Sequence, residues 1–333
     1  MQSNFEPEPA SVNHDAAVKP KNKSVFITGA SGCVGHYMAE SLLDRTDYNL
    51  YLLMRDRRKF KLKEFDSQRV TIIEDTLHNI ENYAEILGQM EYVVSAAACW
   101  GGDDVYTTNL DKTVALFNLL NPTVCERAIY FSTASILDQH NQVIKEAGEI
   151  GTGYIRSKYL CLQALEASPI ASCLISVFPT LVFGGAADKP YSHLSAGLKD
   201  IAKYVRYLRY FKTDGSLHFI HSSDIAQVVT SLLTVETLPS AHPARFVLGM
   251  ERLTADVLID QASIGLGMRP KSWRFDLTPS LINLVNKVFK IQMAEWDYFF
   301  LQQRHFTYDV VRPETFGLQS RYPQLKDLFA EVA

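Results

Sequence analysis

Cysteine is scarce: five residues in 333, namely Cys33, Cys99, Cys125, Cys161 and Cys173, with no C-x-x-C pair among them. An odd, scattered set argues against a disulfide framework or a cysteine zinc site and fits a reducing, cytoplasmic compartment. Nine histidines are present, yet none pair at metal-ligand spacing. His218 and His221 stand three apart on an expected strand and would face opposite sides, so no metal site is expected. No run of about 18 apolar residues occurs, which speaks against a spanning helix. The net charge is −4, leaving no strongly basic field to draw nucleic acid. Internal repeats and low-complexity tracts are lacking. Residues 1–22 are polar, hold three prolines and have no apolar core stretch. They read as a disordered lead-in, not a secretory signal.

What is abundant is core-forming material, with 47% hydrophobic against 21% charged residues. Short apolar runs at Val25–Thr28, Leu50–Met54, Val70–Ile73, Tyr92–Ala97, Ala128–Ser132 and Cys173–Phe178 alternate with helix-like stretches. Strands apolar on both faces and separated by helices predict an α/β fold, a doubly wound parallel sheet covered on both sides. After Gly184-Gly185 and Asp188-Lys189-Pro190 the strand–helix rhythm breaks. The expected organisation is a dinucleotide-binding domain over 23–184 and a smaller, mostly helical substrate lobe over 185–333. That lobe returns to the main domain near 217–228 and 245–249, through strands at Leu217–His221 and Arg245–Leu248. Leu281–Leu301 is apolar and aromatic, and reads as a helix on the core or over a substrate pocket, ahead of a membrane-surface helix.

Gly29, Gly32 and Gly35 follow the first strand at spacings of three, and Val34, Met38 and Leu42 then repeat at helical spacing. A turn without side chains lets backbone N–H groups of Ser31, Gly32, Cys33, Val34 and Gly35 approach a pyrophosphate at a helix N-terminus. Arg55 lies 26 residues after Gly29, at the expected end of the second strand, followed by Arg57, Arg58 and Lys59. An arginine there accommodates a 2′-phosphate where a carboxylate would take a ribose 2′-OH, so NADP(H) is favoured over NAD(H). A strand ending one residue later would put Asp56 in that role instead.

Tyr154 and Lys158 are four apart on a helix-like stretch and share a face. A phenol titrates near pH 10 unperturbed. A neighbouring ammonium favours the phenolate and so fits the tyrosine for acid/base work. Y-x-x-x-K alone is a chance-level pattern. About twenty residues earlier, however, the fifth strand runs into Ser132-Thr133, whose hydroxyls would face the ligand crevice of an open α/β sheet.

These motifs, in this order, resemble the extended branch of the short-chain dehydrogenase/reductase superfamily, which includes epimerase/dehydratase, hydroxysteroid dehydrogenase and dihydroflavonol reductase relatives. The likeness covers roughly residues 23–330. It implies that Thr28–Gly35 is the cofactor loop, that Asp75, with Thr76 beside it, contacts adenine, and that Ala96, Ala97 and Ala98 flank the cofactor. It further implies that Asn109 supports the active site, that Thr133, with Ser132 beside it, is the catalytic hydroxyl, and that Pro179 lies near the nicotinamide. In the same way, Lys158 would lower the Tyr154 pKa and hold the nicotinamide ribose. Phe219-Ile220-His221 with Asp224-Ile225-Ala226 resembles the segment that ties the substrate lobe to the main domain. The chain departs from the pattern at Phe178, Phe183 and Glu74-Asp75-Thr76, none of which removes a catalytic group. Pairing of two copies through helices is also an implication of the likeness.

The expected activity is NADP(H)-dependent reduction of a carbonyl, or oxidation of a secondary alcohol, on a small molecule. Trp100, Phe178 and the aromatic later segment (Trp273, Trp296, Tyr298, Phe299, Phe300) point to an apolar or aromatic substrate. Two alternatives stand beside it: a retained-cofactor epimerase or dehydratase of nucleotide sugars, and a non-catalytic dinucleotide-binding or assembly protein. Retention of both Tyr154 and Lys158 argues against the last.

Overall fold

The computed structural model describes residues 22–61, 67–238, 243–276 and 295–331. The expected lead-in, and most of Leu281–Leu301, lie outside the described residues.

Six strands carry the first half: β1 (Ser24–Thr28), β2 (Asn49–Met54), β3 (Val70–Glu74), β4 (Tyr92–Ser95), β5 (Arg127–Phe131) and β6 (Leu174–Pro179). Every residue of β1 and β4 is buried, as expected of central strands whose β-branched and aromatic side chains pack on both faces. With Ala244–Leu248 and Val310–Val311 they form one eight-stranded parallel sheet. Its order is Val310–Val311, Ala244–Leu248, β6, β5, β4, β1, β2, β3. This is the doubly wound α/β fold. Separate apolar clusters fill its two faces. Tyr130, Phe117 and Phe178 belong to one, and Ile27, Met38 and Leu42 to the other. Each such side chain, fully buried, contributes roughly 1.5–3 kcal/mol.

The helix Cys33–Arg45 packs on Ser222–Thr234, and Ser41 Oγ meets Thr230 Oγ1 at 2.8 Å. A smaller core, with Phe183, Leu198, Val205 and Phe219, holds the later lobe together.

Two features differ from the sequence expectation. Leu217–His221 is not one strand. Ser216–Leu217 pairs antiparallel with Leu253–Thr254, whereas Phe219–His221 pairs parallel with β7 (Leu181–Phe183). Neither piece joins the main sheet; the break falls at His218, whose ring turns to the Met250 carbonyl at 2.7 Å. The eighth strand, Val310–Val311, was not anticipated, because two residues carry no alternation pattern.

The carboxyl ends of β1, β4, β5 and β6 line one edge of the sheet. The strand order reverses between β1 and β4, which is where open α/β sheets bind ligands.

Candidate active site

The glycine loop leaves β1 through Gly29, whose φ is +72°; a Cβ there would lie 2.8 Å from the Ala97 nitrogen. β4 therefore ends against the loop backbone, and Ala97 N–H donates to Thr28 Oγ1 at 3.2 Å. At Gly35 a Cβ would sit 2.2 Å from the Gly29 carbonyl oxygen. Only hydrogens at these two positions let the helix start this close to the turn. The cradle formed by Gly29–Gly35 and Ala96–Ala97 is thus of a shape that fits a dinucleotide pyrophosphate.

His36, which sequence reasoning passed over, ties this loop to the cationic segment after β2. One ring nitrogen bonds the Gly32 carbonyl at 3.0 Å and the other accepts from Lys61 N–H at 3.3 Å. Burial lowers its pKa, so the neutral ring donates at one nitrogen and accepts at the other. The only sequence signal was a histidine one helical turn after Gly32.

β2 ends at Met54, which makes exposed Arg55 the first residue past the strand. Asp56 is engaged elsewhere. It caps the turn Arg57–Lys59 and takes the Arg58 guanidinium at 2.9 and 3.1 Å; that hydrogen bonding holds its carboxyl below the usual range. A cavity of about 330 Å³ lies beside Ser31 and is lined by Arg58, Lys59, Lys61 and Lys189. Arg55 is not among its walls, whereas Arg58 and Lys59, which follow it in the sequence, are. Asp75 accepts from Thr76 N–H at 2.6 Å, Asn79 at 2.8 Å and Tyr83 at 2.8 Å. These bonds lower its pKa and fix the loop after β3.

The helix Gly153–Glu166, capped by Thr152, carries Tyr154 and Lys158 beside the end of β5. Lys158 is buried, and its ammonium donates to the Phe131 carbonyl at 2.7 Å. Burial depresses its pKa to about 8. Burial pushes the Tyr154 phenol up, and a hydrogen bond with the Thr133 hydroxyl works the other way. The structure thus sets Thr133, not the ammonium, against the phenol; spacing alone shows which residues share a face but not which acceptor a long side chain finds. Ser132 is buried, whereas Thr133 is partly open.

Asn109 sits in a π-helical turn, Thr107–Asp111, a distortion that is often functional. It clamps Cys99 through both its N–H and C=O, at 2.8 and 2.7 Å, and donates to Ser157 Oγ at 3.1 Å. This fixes the loop bearing Trp100. The indole stacks on the Tyr154 ring (4.4 Å, 17°) and meets His193 edge-on at 5.0 Å, while remaining 59% exposed. Pro179 ends β6, and Thr180 N–H bonds the Leu248 carbonyl at 3.0 Å. Phe178, expected near the cleft, is wholly buried in the core.

A second cavity, about 500 Å³, lies past the ends of Ala244–Leu248 and Val310–Val311. Its walls include His218, Tyr308, Arg252 and Arg312. Tyr308 donates to the Ala134 carbonyl at 3.0 Å, joining that wall to the residue after Thr133. Among the described residues no cluster of three His, Cys, Asp or Glu could hold a metal ion.

Residues 25–249 match the model of the NAD dependent epimerase/dehydratase family. Over 104 residues the chain is 29% identical to the sterol-4-alpha-carboxylate 3-dehydrogenase, decarboxylating, of Dictyostelium discoideum; the match covers 30% of this chain and 31% of that enzyme. Among solved structures, the terminal R domain of the myxalamid PKS-NRPS pathway superposes with a TM-score of 0.67 at 15% identity, covering 95% of this chain and 90% of that one. The Bordetella bronchiseptica enzyme WbmG in complex with NAD gives 0.62 at 16% identity, covering 94% and 93%. At such identities the two structures show the shared fold.

Proposed function

Given that the chain belongs to the NAD dependent epimerase/dehydratase family, and is thus an NAD(P)-binding oxidoreductase of the extended short-chain type, we propose that it reduces a carbonyl, or oxidises the corresponding secondary alcohol, using NADP(H). The observation that carries this reading is the meeting of Tyr154 with Thr133 just past β5, with Lys158 anchored on the Phe131 carbonyl, next to a loop whose glycines leave room for a pyrophosphate.

The bound dinucleotide supplies or accepts the hydride. Tyr154 gives its phenolic proton to the substrate oxygen in reduction and takes it back in oxidation. Thr133 bonds the same oxygen. Lys158, held by the Phe131 carbonyl, would reach the nicotinamide ribose, and Asn109 steadies the Trp100 loop over the phenol. Trp100, half in solvent above Tyr154, offers a flat apolar wall, so the substrate carries an apolar or aromatic group beside its carbonyl. The test is carbonyl-dependent NADPH consumption. One mole of NADPH lost per mole of carbonyl reduced is expected, and carbonyl conversion without net NADPH loss overturns the reading.

The last outcome would favour a second reading, a retained-cofactor epimerase or dehydratase acting on a nucleotide sugar. Arg252 in the 500 Å³ cavity supports it, since a guanidinium group suits a diphosphate; Arg312 in the same wall is paired with Glu251 and Glu314, at 2.9 and 3.5 Å.

The NADP(H) preference rests on the cations around Ser31. Charge-assisted hydrogen bonds are each worth about 1.5–3 kcal/mol. The triple change Arg58→Gln, Lys59→Gln, Lys61→Gln is therefore expected to weaken NADPH by about 100-fold or more while moving NADH by only a few-fold. Fluorescence titration of both cofactors reads the difference; equal losses would refute the assignment.

A further inference from the structure

The later lobe exposes an apolar face. The helix His193–Leu208 buries Leu198 and Val205 in the lobe core. Its outer side presents Ile201, Tyr204 and Leu208, at helical spacing, 43%, 63% and 43% exposed, with Tyr207 beside them. The face continues past the helix end. Phe275 N–H bonds the Tyr210 carbonyl at 2.8 Å, and Trp273 stands 4.2 Å from the Phe275 ring. Trp273 and Phe275 are 64% and 52% exposed. Exposed apolar area gathered in this way marks an interaction site.

Charge identifies the occupant. Arg206, Arg209 and Lys271 border the aromatic rings, with Arg206 over Tyr207 and both Arg209 and Lys271 over Tyr210. The one acid of the helix, Asp200, is taken by Lys203 at 2.6 Å. A cationic surplus on a chain of net charge −4 is a local feature. Tyrosine and tryptophan interleaved with lysine and arginine suit the headgroup layer of an anionic bilayer, where rings enter the interface and cations meet phosphates. A second copy fits poorly, because a two-fold contact through this face would set the same cations against each other. We propose that this surface docks the protein on an anionic lipid membrane. The helix that docks begins at His193, against Trp100 above Tyr154, so docking would bring the mouth of the candidate site close to the lipid. The docking itself does not depend on the redox chemistry proposed above.

The test is co-sedimentation of the full chain with phosphatidylcholine vesicles, with and without phosphatidylserine. Binding is expected only with phosphatidylserine, weakening as salt rises. The double change Arg206→Gln, Lys271→Gln should lower it by roughly 30-fold. Tyr204→Ser with Trp273→Ser should lower it by about tenfold or more, without changing the salt dependence. All these side chains are at the surface, so melting temperatures should match the parent and show that the variants fold. Three results would overturn the proposal: no binding to phosphatidylserine vesicles at low salt, equal binding by parent and variants, or a dimer in solution that Tyr204→Ser dissolves. Binding of a single-stranded RNA through the same residues, with none to vesicles, would overturn it too.

Discussion

Tyr154→Phe is expected to lower kcat by about 10²–10⁴-fold, the usual worth of a positioned acid/base group, while the Kd for NADP(H) stays within about twofold of the parent. The change removes one oxygen and leaves the ring. Phenylalanine keeps the stack on Trp100 at 4.4 Å, so the loop held by Asn109 has no reason to move. What is lost is the proposed proton donor and the partner of Thr133. The phenol makes the measurement sharp, because burial opposes its ionisation in the free protein. For the oxidative direction, the proposed mechanism requires the base form to be favoured once substrate and cofactor are bound, a role proposed for Thr133 and Lys158. Steady-state rates in both directions, with cofactor titration on the same samples, check the prediction. Turnover within tenfold of the parent would remove Tyr154 from the chemistry. A comparable loss of cofactor affinity would make it a structural residue instead.

Seven of the eight strands of the main sheet were legible in the sequence because they are apolar runs bounded by glycine or charge. Their ends agree with expectation to within a residue or two. Adjacency in space was harder to read. The run Arg55–Lys59 announced a cationic strand end, but the turn over Arg57–Lys59 and the His36–Lys61 bond decide which cations face the glycine loop. Trp100 carried only an aromatic signal; it is Asn109, through its bonds to Cys99, that fixes the loop whose indole lies on Tyr154. Phe178 carried the same aromatic signal and ended in the core. Residue type is written in the sequence, whereas the direction a side chain takes is set by neighbours far away in the chain.

The glycine loop allows a second large effect to be anticipated from geometry alone. In Gly35→Ala the new methyl would stand 2.2 Å from the Gly29 carbonyl oxygen and 2.7 Å from Ala30 Cα. Both obstacles are backbone, so no rotamer change relieves the overlap, and the helix Cys33–Arg45 must move off the turn. Overpacking of this kind costs about 1–3 kcal/mol. The displacement falls on the N–H groups that would meet the pyrophosphate, so cofactor affinity should drop by more than about 30-fold, from hydrogen bonds of about 1.5–3 kcal/mol each. Gly197→Ala provides the contrast. Gly197 lies in the helix His193–Leu208 with nothing within 4 Å of the built Cβ. There alanine should stabilise by about 0.5–1 kcal/mol through helix propensity, with cofactor binding unchanged. Thermal melts and cofactor titrations of the two variants, run side by side, separate a tight backbone approach from a general intolerance of substitution. A Gly35→Ala protein that binds NADP(H) as the parent does would show that the loop has slack the structure does not have, and would undo the pyrophosphate assignment.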